Sequence, residues 1–294
     1  MDIRNIQKTG DMFYLYLPTR WCKKFNISGQ SKVGVQINAD GSLIIHPQAS
    51  KQKPIHLKLS TKESNMEIVQ KLIIAAYLSP ADSFKIELEK EIDFTKILDQ
   101  KNLISLELVE IDGNHISCES TINVSDPFSL LLTMIKKVKN LLRVLEKGTH
   151  KELIERYEEE IDRSRLLIEK SVVASLINSS QTSYKATELH FISMLAKHLE
   201  TVVDHLTSLK PTKNFALKIS AVFNVLLQLL EDKTAKLNYH ECLPFLRVVN
   251  KLPNISVKDV DSYDRRRIIR GLNNISEIMI DWAIIKETEV QQSQ

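Results

Sequence analysis

Cysteine is scarce in this sequence and widely scattered: Cys22, Cys118 and Cys242 form no CxxC pair. That spacing excludes a disulfide framework and a zinc ribbon, and it suits a reducing compartment. Long hydrophobic runs are also missing. The most apolar stretch, 215–230, is interrupted by Lys218, Asn224 and Gln228, whereas a helical span needs about 20 mainly apolar residues. No membrane insertion is therefore expected. Met1-Asp2-Ile3-Arg4 leads into no apolar segment, so no secretory signal is expected and the protein reads as cytoplasmic.

Several catalytic signatures are absent as well. Gly29-x-x-x-x-Gly34 runs into Val35 where a P-loop requires lysine, and no GxGxxG occurs. His240-Glu241 lacks the second histidine of a zincin. None of the eight histidines has a glutamate three residues before it, which removes the di-iron carboxylate bundle. His190, His198 and His205 share one helix and read as surface or packing residues, with an auxiliary ligand role open to His205 alone. Trp21 and Cys22 read as hairpin core rather than redox groups. The expectation is a protein that is not an enzyme.

The chain has 294 residues, 43% apolar and 26% charged, an ordinary globular balance with room for two or three domains. A net charge of +3 conceals an asymmetry. Through residue 53 there are eight basic and three acidic side chains, a net of +5, which leaves −2 for the other 241 residues. A basic end on a mildly acidic body is expected where that end meets a polyanion.

Three blocks follow one another. Residues 1–50 read as short strands and turns: Phe13-Tyr14-Leu15-Tyr16-Leu17 ends at Pro18, Val33-Gly34-Val35-Gln36-Ile37 alternates, and Asp40-Gly41 turns into Ser42-Leu43-Ile44-Ile45. Residues 20–25 suit one or two helical turns. After a polar linker over 48–54, residues 54–125 alternate between strand and helix patterns. Strands are predicted at 55–59, 83–88, 104–111 and 115–120, with helices at 66–78 and 92–98. They make a small α/β connector with a mixed sheet and helices on one face. From Asp126-Pro127, an N-cap followed by a proline at the first helical position, the pattern becomes long helices. These cover 127–147, 151–177 and 187–209, then 215–230, 242–252 and 260–285. Residues 126–290 therefore form an all-α bundle of two three-helix sets, 127–209 and 213–288. The fold class is α+β and multidomain.

Residues 3–47 resemble the swapped-hairpin AbrB-type DNA-binding domain. The resemblance rests on Ile6-Gln7-Lys8-Thr9-Gly10, Tyr16-Leu17-Pro18, Arg20-Trp21, Lys23-Lys24, Gly29, residues 33–37 and Asp40 to Ile45 with Pro47. It implies an obligate homodimer with interleaved hairpins and double-stranded DNA as partner, contacted by Lys8, Arg20, Lys23 and Lys24, with Arg4 beside them. Ser28-Gly29-Gln30-Ser31 replaces the acidic turn usual in that family. Independently of the name, about fifty residues bury too little surface to stand comfortably alone, and pairing two +5 heads gathers charge that can release counterions from phosphates.

The bundle resembles the phosphate-regulator family PhoU through two ExxxD motifs, Glu158-x-x-x-Asp162 and Glu200-x-x-x-Asp204, the second followed by His205. Residues four apart share a helix face, and at 100° per residue both pairs fall roughly 70–140° from the centre of the apolar stripe. Four carboxylates facing one another suit a hard or borderline cation; alternatively they are solvated acidic faces. The resemblance implies a cluster of divalent or trivalent metal ions, Fe, Zn, Mn or Mg, on Glu158, Asp162, Glu200 and Asp204. In the degenerate second repeat, Glu277 and Asp281 repeat the spacing beside Trp282, which implies partial burial, and Asp264-Arg265-Arg266-Arg267 reads as an exposed helix start, with an accessory phosphate contact as the alternative. The arrangement is similar to archaeal fusions that carry an α/β connector between the two domains. It implies a transcription regulator linked to phosphate or nutrient status. The alternative is an adaptor that regulates a transporter or kinase by protein contact, its head serving only dimerisation.

Overall fold

The computed structural model describes residues 3–37, 41–47, 54–91, 109–118, 126–148, 151–177, 182–209, 213–233 and 237–292. The protein is α+β, with eight helices and three small sheets among the described residues and a mostly helical C-terminal region. Outside the described residues lie Asp40, most of the 48–54 linker, the helix expected at 92–98 and the first five residues of the strand expected at 104–111. Two compact units divide the chain, Met1–Lys53 and Pro54–Gln294.

In the first unit β1 (Gln7–Thr9) pairs antiparallel with β2 (Met12–Tyr14), and β3 (Gly34–Ile37) with β4 (Leu43–His46). Between them α1 (Thr19–Lys24) starts after Pro18, whose extended backbone cannot itself continue a helix backwards. It ends where Ile27 N–H donates to the Cys22 carbonyl (2.9 Å) and Asn26 N–H to the Lys23 carbonyl (3.4 Å). Asn26 sits at φ 53, and asparagine tolerates the left-handed conformation such a helix stop requires. Residues 15–17, read as strand, are outside β2. No described residue of this unit is buried.

The second unit opens with β5 (His56–Thr61), α2 (Met66–Leu78) and β6 (Ser83–Leu88), a strand–helix–strand crossover that makes β5 and β6 parallel. The hairpin β7 (Val109–Asp112) and β8 (His115–Cys118) completes a sheet of order β5-β6-β8-β7. Asn65 caps α2 by accepting from Glu67 and Ile68 amides. Strict alternation in β6 sends Phe84, Ile86 and Leu88 inward against Val69, Ile73, Ala76 and Tyr77 of α2.

The helical part comprises α3 (Pro127–Lys147), α4 (Lys151–Ile177), α5 (Ala186–Ser208), α6 (Lys213–Lys233), α7 (Tyr239–Asn250) and α8 (Val260–Gln292). Asp126 accepts from the Phe128 and Ser129 amides to start α3, and Gly148 at φ +84 stops it, a backbone that a side chain would disfavour. α4 packs between α3 and α5, α6 packs on α3 and α7, and α8 runs along α5 and α7. One continuous core results, from Leu131, Ile135, Val138 and Leu142 through Ile192, Leu199 and Val203 to Phe223, Phe245, Leu272 and Trp282. Trp282 stacks on Phe191 at 5.8 Å between ring centroids. α5 and α8 meet at Gly271, where an added Cβ would lie 2.5 Å from Val202 Cγ2. By length and mean hydropathy (1.2) the window Asn214–Glu231 of α6 would suffice to cross a bilayer, a reading the sequence had dismissed; half of it is buried inside the bundle.

The sheet and the bundle also share a core. Leu166 of α4 is buried among the side chains between α2 and the sheet. Four residues on, Lys170 Nζ donates to the Tyr77 carbonyl at 2.8 Å and lies 4.5 Å from the Tyr77 ring centroid. A cation at the last turn of α2 opposes the negative end of that helix.

Candidate functional site

Arg4 precedes β1, Lys8 lies on it, and Arg20, Lys23 and Lys24 lie on α1; all five are exposed. The helix stop at Asn26 places Lys23 and Lys24 in the last turn of α1, where positive charge is favoured by the helix dipole. Lys8 Nζ sits 5.4 Å from the Phe13 ring centroid, its cross-strand neighbour, and Lys24 Nζ 5.4 Å from that of Phe25. Lys8, Arg20, Lys23 and Lys24 form no ion pair among the described residues. Around them stand exposed apolar side chains, including Ile6, Met12, Phe13, Leu15, Val35, Ile37 and Leu43.

The second constellation lies between α4 and α5. One carboxylate oxygen each from Asp162, Glu200 and Asp204 come within 4.8 Å of one another. Glu158, the fourth expected member, lies outside that triangle, although its charge still raises the pKa of Asp162. Burial pushes Asp162 up to about 7, with repulsion from Glu200, Asp204 and Glu158 adding to it and Arg165 opposing it. Burial raises Glu200 and Asp204 too; Arg165 holds Glu200 down, and His205 and Arg165 hold down Asp204. Oδ1 of Asp162 is buried without a hydrogen-bond partner among the described residues.

Basic residues not singled out in the sequence flank the triangle. Arg165 reaches Glu169 (Nη1–Oε2, 3.0 Å) and Glu200 (Nε–Oε1, 3.2 Å), and Lys197 lies 3.7 Å from Glu169. Arg165 Nε has no well-aligned hydrogen bond, so its contact with Glu200 is an ion pair without hydrogen-bond geometry. The signal for these residues was present: Arg165 and Glu169 follow Asp162 by three and seven positions, and Lys197 precedes Glu200 by three, all spacings that share a face. Three carboxylates drawn together, mutually repelling and with one buried oxygen unpartnered, fit an oxygen-seeking cation; Arg165 neutralises part of the same charge.

Three expectations are corrected. His205 turns away from the triangle: its Nδ1 lies 2.9 Å from Asp264 Oδ1, and Arg267 Nε donates to its Nε2 at 3.4 Å. With both ring nitrogens engaged between α5 and α8, it is not an auxiliary ligand. The Asp264–Arg267 run is not an exposed helix start either. Asp264 is buried and Arg265 pairs with Asp261 (2.7 Å) while covering Phe215 (5.1 Å), leaving Arg266 exposed. Glu277 and Asp281 are exposed rather than partly buried, because the turn of α8 sends Ile278, Met279 and Trp282 into the core instead. Comparison with protein-family models, with curated proteins and with solved structures returns no match.

Proposed function

We propose that the chain is a homodimeric, DNA-binding transcription regulator whose helical body senses a ligand linked to phosphate or nutrient status. The observation that carries this reading is the head: no described residue in it is buried, eight basic side chains outnumber three acidic ones, and large apolar side chains face outward. A segment of this size with its apolar residues outward gains its core from a second copy. In this reading the two hairpins interleave as in AbrB-type domains, and Arg4, Lys8, Arg20, Lys23 and Lys24 of both chains grip the phosphates. α3–α5 and α6–α8 are taken as two three-helix repeats of PhoU type, the second degenerate.

Asp162, Glu200 and Asp204 would hold a divalent or trivalent cation, with Glu158 contributing charge from one turn away. Such an ion would supply the positive charge that lets these carboxylates ionise together. Arg165, which pairs with Glu200 at 3.2 Å, links this site to the packing of α4 on α5. α4 carries Leu166 and Lys170 on its flank against α2 and the sheet, and β5 is the first element after the head in the chain. The body thereby biases the geometry of the paired heads.

Salt-titrated binding of the full chain to duplex DNA tests the reading. Tight binding is expected, falling steeply with salt, and Lys23→Ala with Lys24→Ala should reduce the slope by about 1.8 for each head engaged. Binding that is absent, or unchanged in the double variant, rejects the assignment. A dimer that ignores DNA would instead be an adaptor acting by protein contact. For the acidic triangle, elemental analysis of protein purified without chelator should find metal, lost in Asp162→Asn with Asp204→Asn.

A further inference from the structure

We infer that a cleft between the α7–α8 connection and α8 binds a small aliphatic carboxylate, independently of the acidic triangle and of the DNA-binding reading. The cleft has a volume of about 160 Å³ and is lined by Leu252, Pro253, Asn254, Ile255, Arg266, Ile269 and Asn273. Its making follows from three consecutive arginines on a helix, which point in directions 100° apart. Arg265 is spent on Asp261 and Phe215, and Arg267 on His205. Arg266, between them, lines the cleft and has no ion-pair partner among the described residues. The lining includes no carboxylate, so the one formal charge at the cleft is positive.

The remaining groups narrow the ligand. A guanidinium offers a planar fork that matches a carboxylate with two parallel hydrogen bonds. Asn273 commits one hydrogen of its Nδ2 to the Ile269 carbonyl at 2.9 Å, which fixes its amide and leaves the second Nδ2 hydrogen to donate to a carboxylate. Asn254 lies in the stretch after Pro253, and neither its amide nor that of Ile255 has an internal acceptor among the described residues. Leu252, Pro253, Ile255 and Ile269 supply apolar walls. A cavity of about 150 Å³ takes one benzene, so roughly six to eight non-hydrogen atoms fit. An anionic head on a short branched hydrocarbon satisfies both halves of the lining; a bare oxyanion leaves the walls unused.

Calorimetric titration of the full-length protein with isovalerate, isovaleramide and inorganic phosphate tests this. Isovalerate should bind at least tenfold more tightly than its neutral amide and than phosphate. Arg266→Gln should weaken isovalerate at least tenfold, whereas Arg270→Gln, an exposed arginine one turn on and outside the lining, should change it less than twofold. Circular dichroism checks that both variants keep the fold. No isovalerate binding, equal binding of amide or phosphate, or equal weakening by the two variants overturns the proposal.

Discussion

In the head, Phe13 and Ile37 stand 69% and 76% exposed, whereas Phe223 and Ile135 in the body are wholly buried. The residue types are the same, and so is the contribution each can make, about 1.5–3 kcal/mol for full burial. What differs is the number of surfaces available. Each long helix of the body offers a stripe several turns long, and six of them close one core. The two hairpins and single short helix of the head have no such stripe to close on. Apolar surface left outward in a small domain marks where another molecule belongs.

Core truncation should give the largest contrast. Phe223→Ala is expected to cost the body about 3–5 kcal/mol, read from denaturant unfolding followed by circular dichroism. Ile37→Ala should leave that transition in place and weaken the proposed dimer instead, read by sedimentation equilibrium. Equal dimer affinity in Ile37→Ala would break the comparison. Next, Gly271→Ala should destabilise by about 1–3 kcal/mol, because Val202 is buried and β-branched and cannot swing its methyl aside. A neutral Gly271→Ala would mean that α5 and α8 part easily.

A smaller effect should follow pH. With chelator present, the folded chain keeps the Asp162 proton up to about 7 while the unfolded chain releases it near 3.8. The unfolded state therefore binds fewer protons in that window, and stability falls as pH rises from about 4 to about 7. Glu200 and Asp204 shift in the same direction. Asp162→Asn should flatten the decline of Tm with pH, and an unaltered slope would move the repulsion elsewhere. Smallest of all, Lys23→Ala with Lys24→Ala should change unfolding free energy by less than about 0.5 kcal/mol, since both side chains are exposed. A large loss of stability there would make them structural rather than recognition residues.

Local chemistry made much of the body legible. Asp126-Pro127 and Gly148 bracket α3 because a cap, a fixed φ and a positive φ act within one turn of where they stand. The helix expected at 66–78 and the strand at 83–88 coincide with α2 and β6, whose apolar periods differ plainly. α7 was harder to place. Its start at Tyr239, capped by Asn238, precedes the expected 242, and Pro244 lies inside the helix as its sixth residue, where its missing N–H takes the usual donor from the His240 carbonyl. At the acidic triangle, Asp162, Glu200 and Asp204 could be named because their spacing is a property of each helix alone. The exclusion of Glu158 and the arrival of Arg165 depend on how α4 and α5 face one another, which no single helix encodes.

By itself the sequence determined the helical character of the C-terminal region, the charge of the head and the ExxxD spacing that puts each pair of carboxylates on one helix face. Each follows from interactions within a few residues along the chain. Tertiary structure alone decided that His205 faces Asp264, that Arg266 opens on a cleft while its neighbours are paired, and that Leu166 joins the sheet to the bundle. Those outcomes depend on the packing of elements far apart in sequence. There, a rotation of one helix by a single residue would exchange every partner.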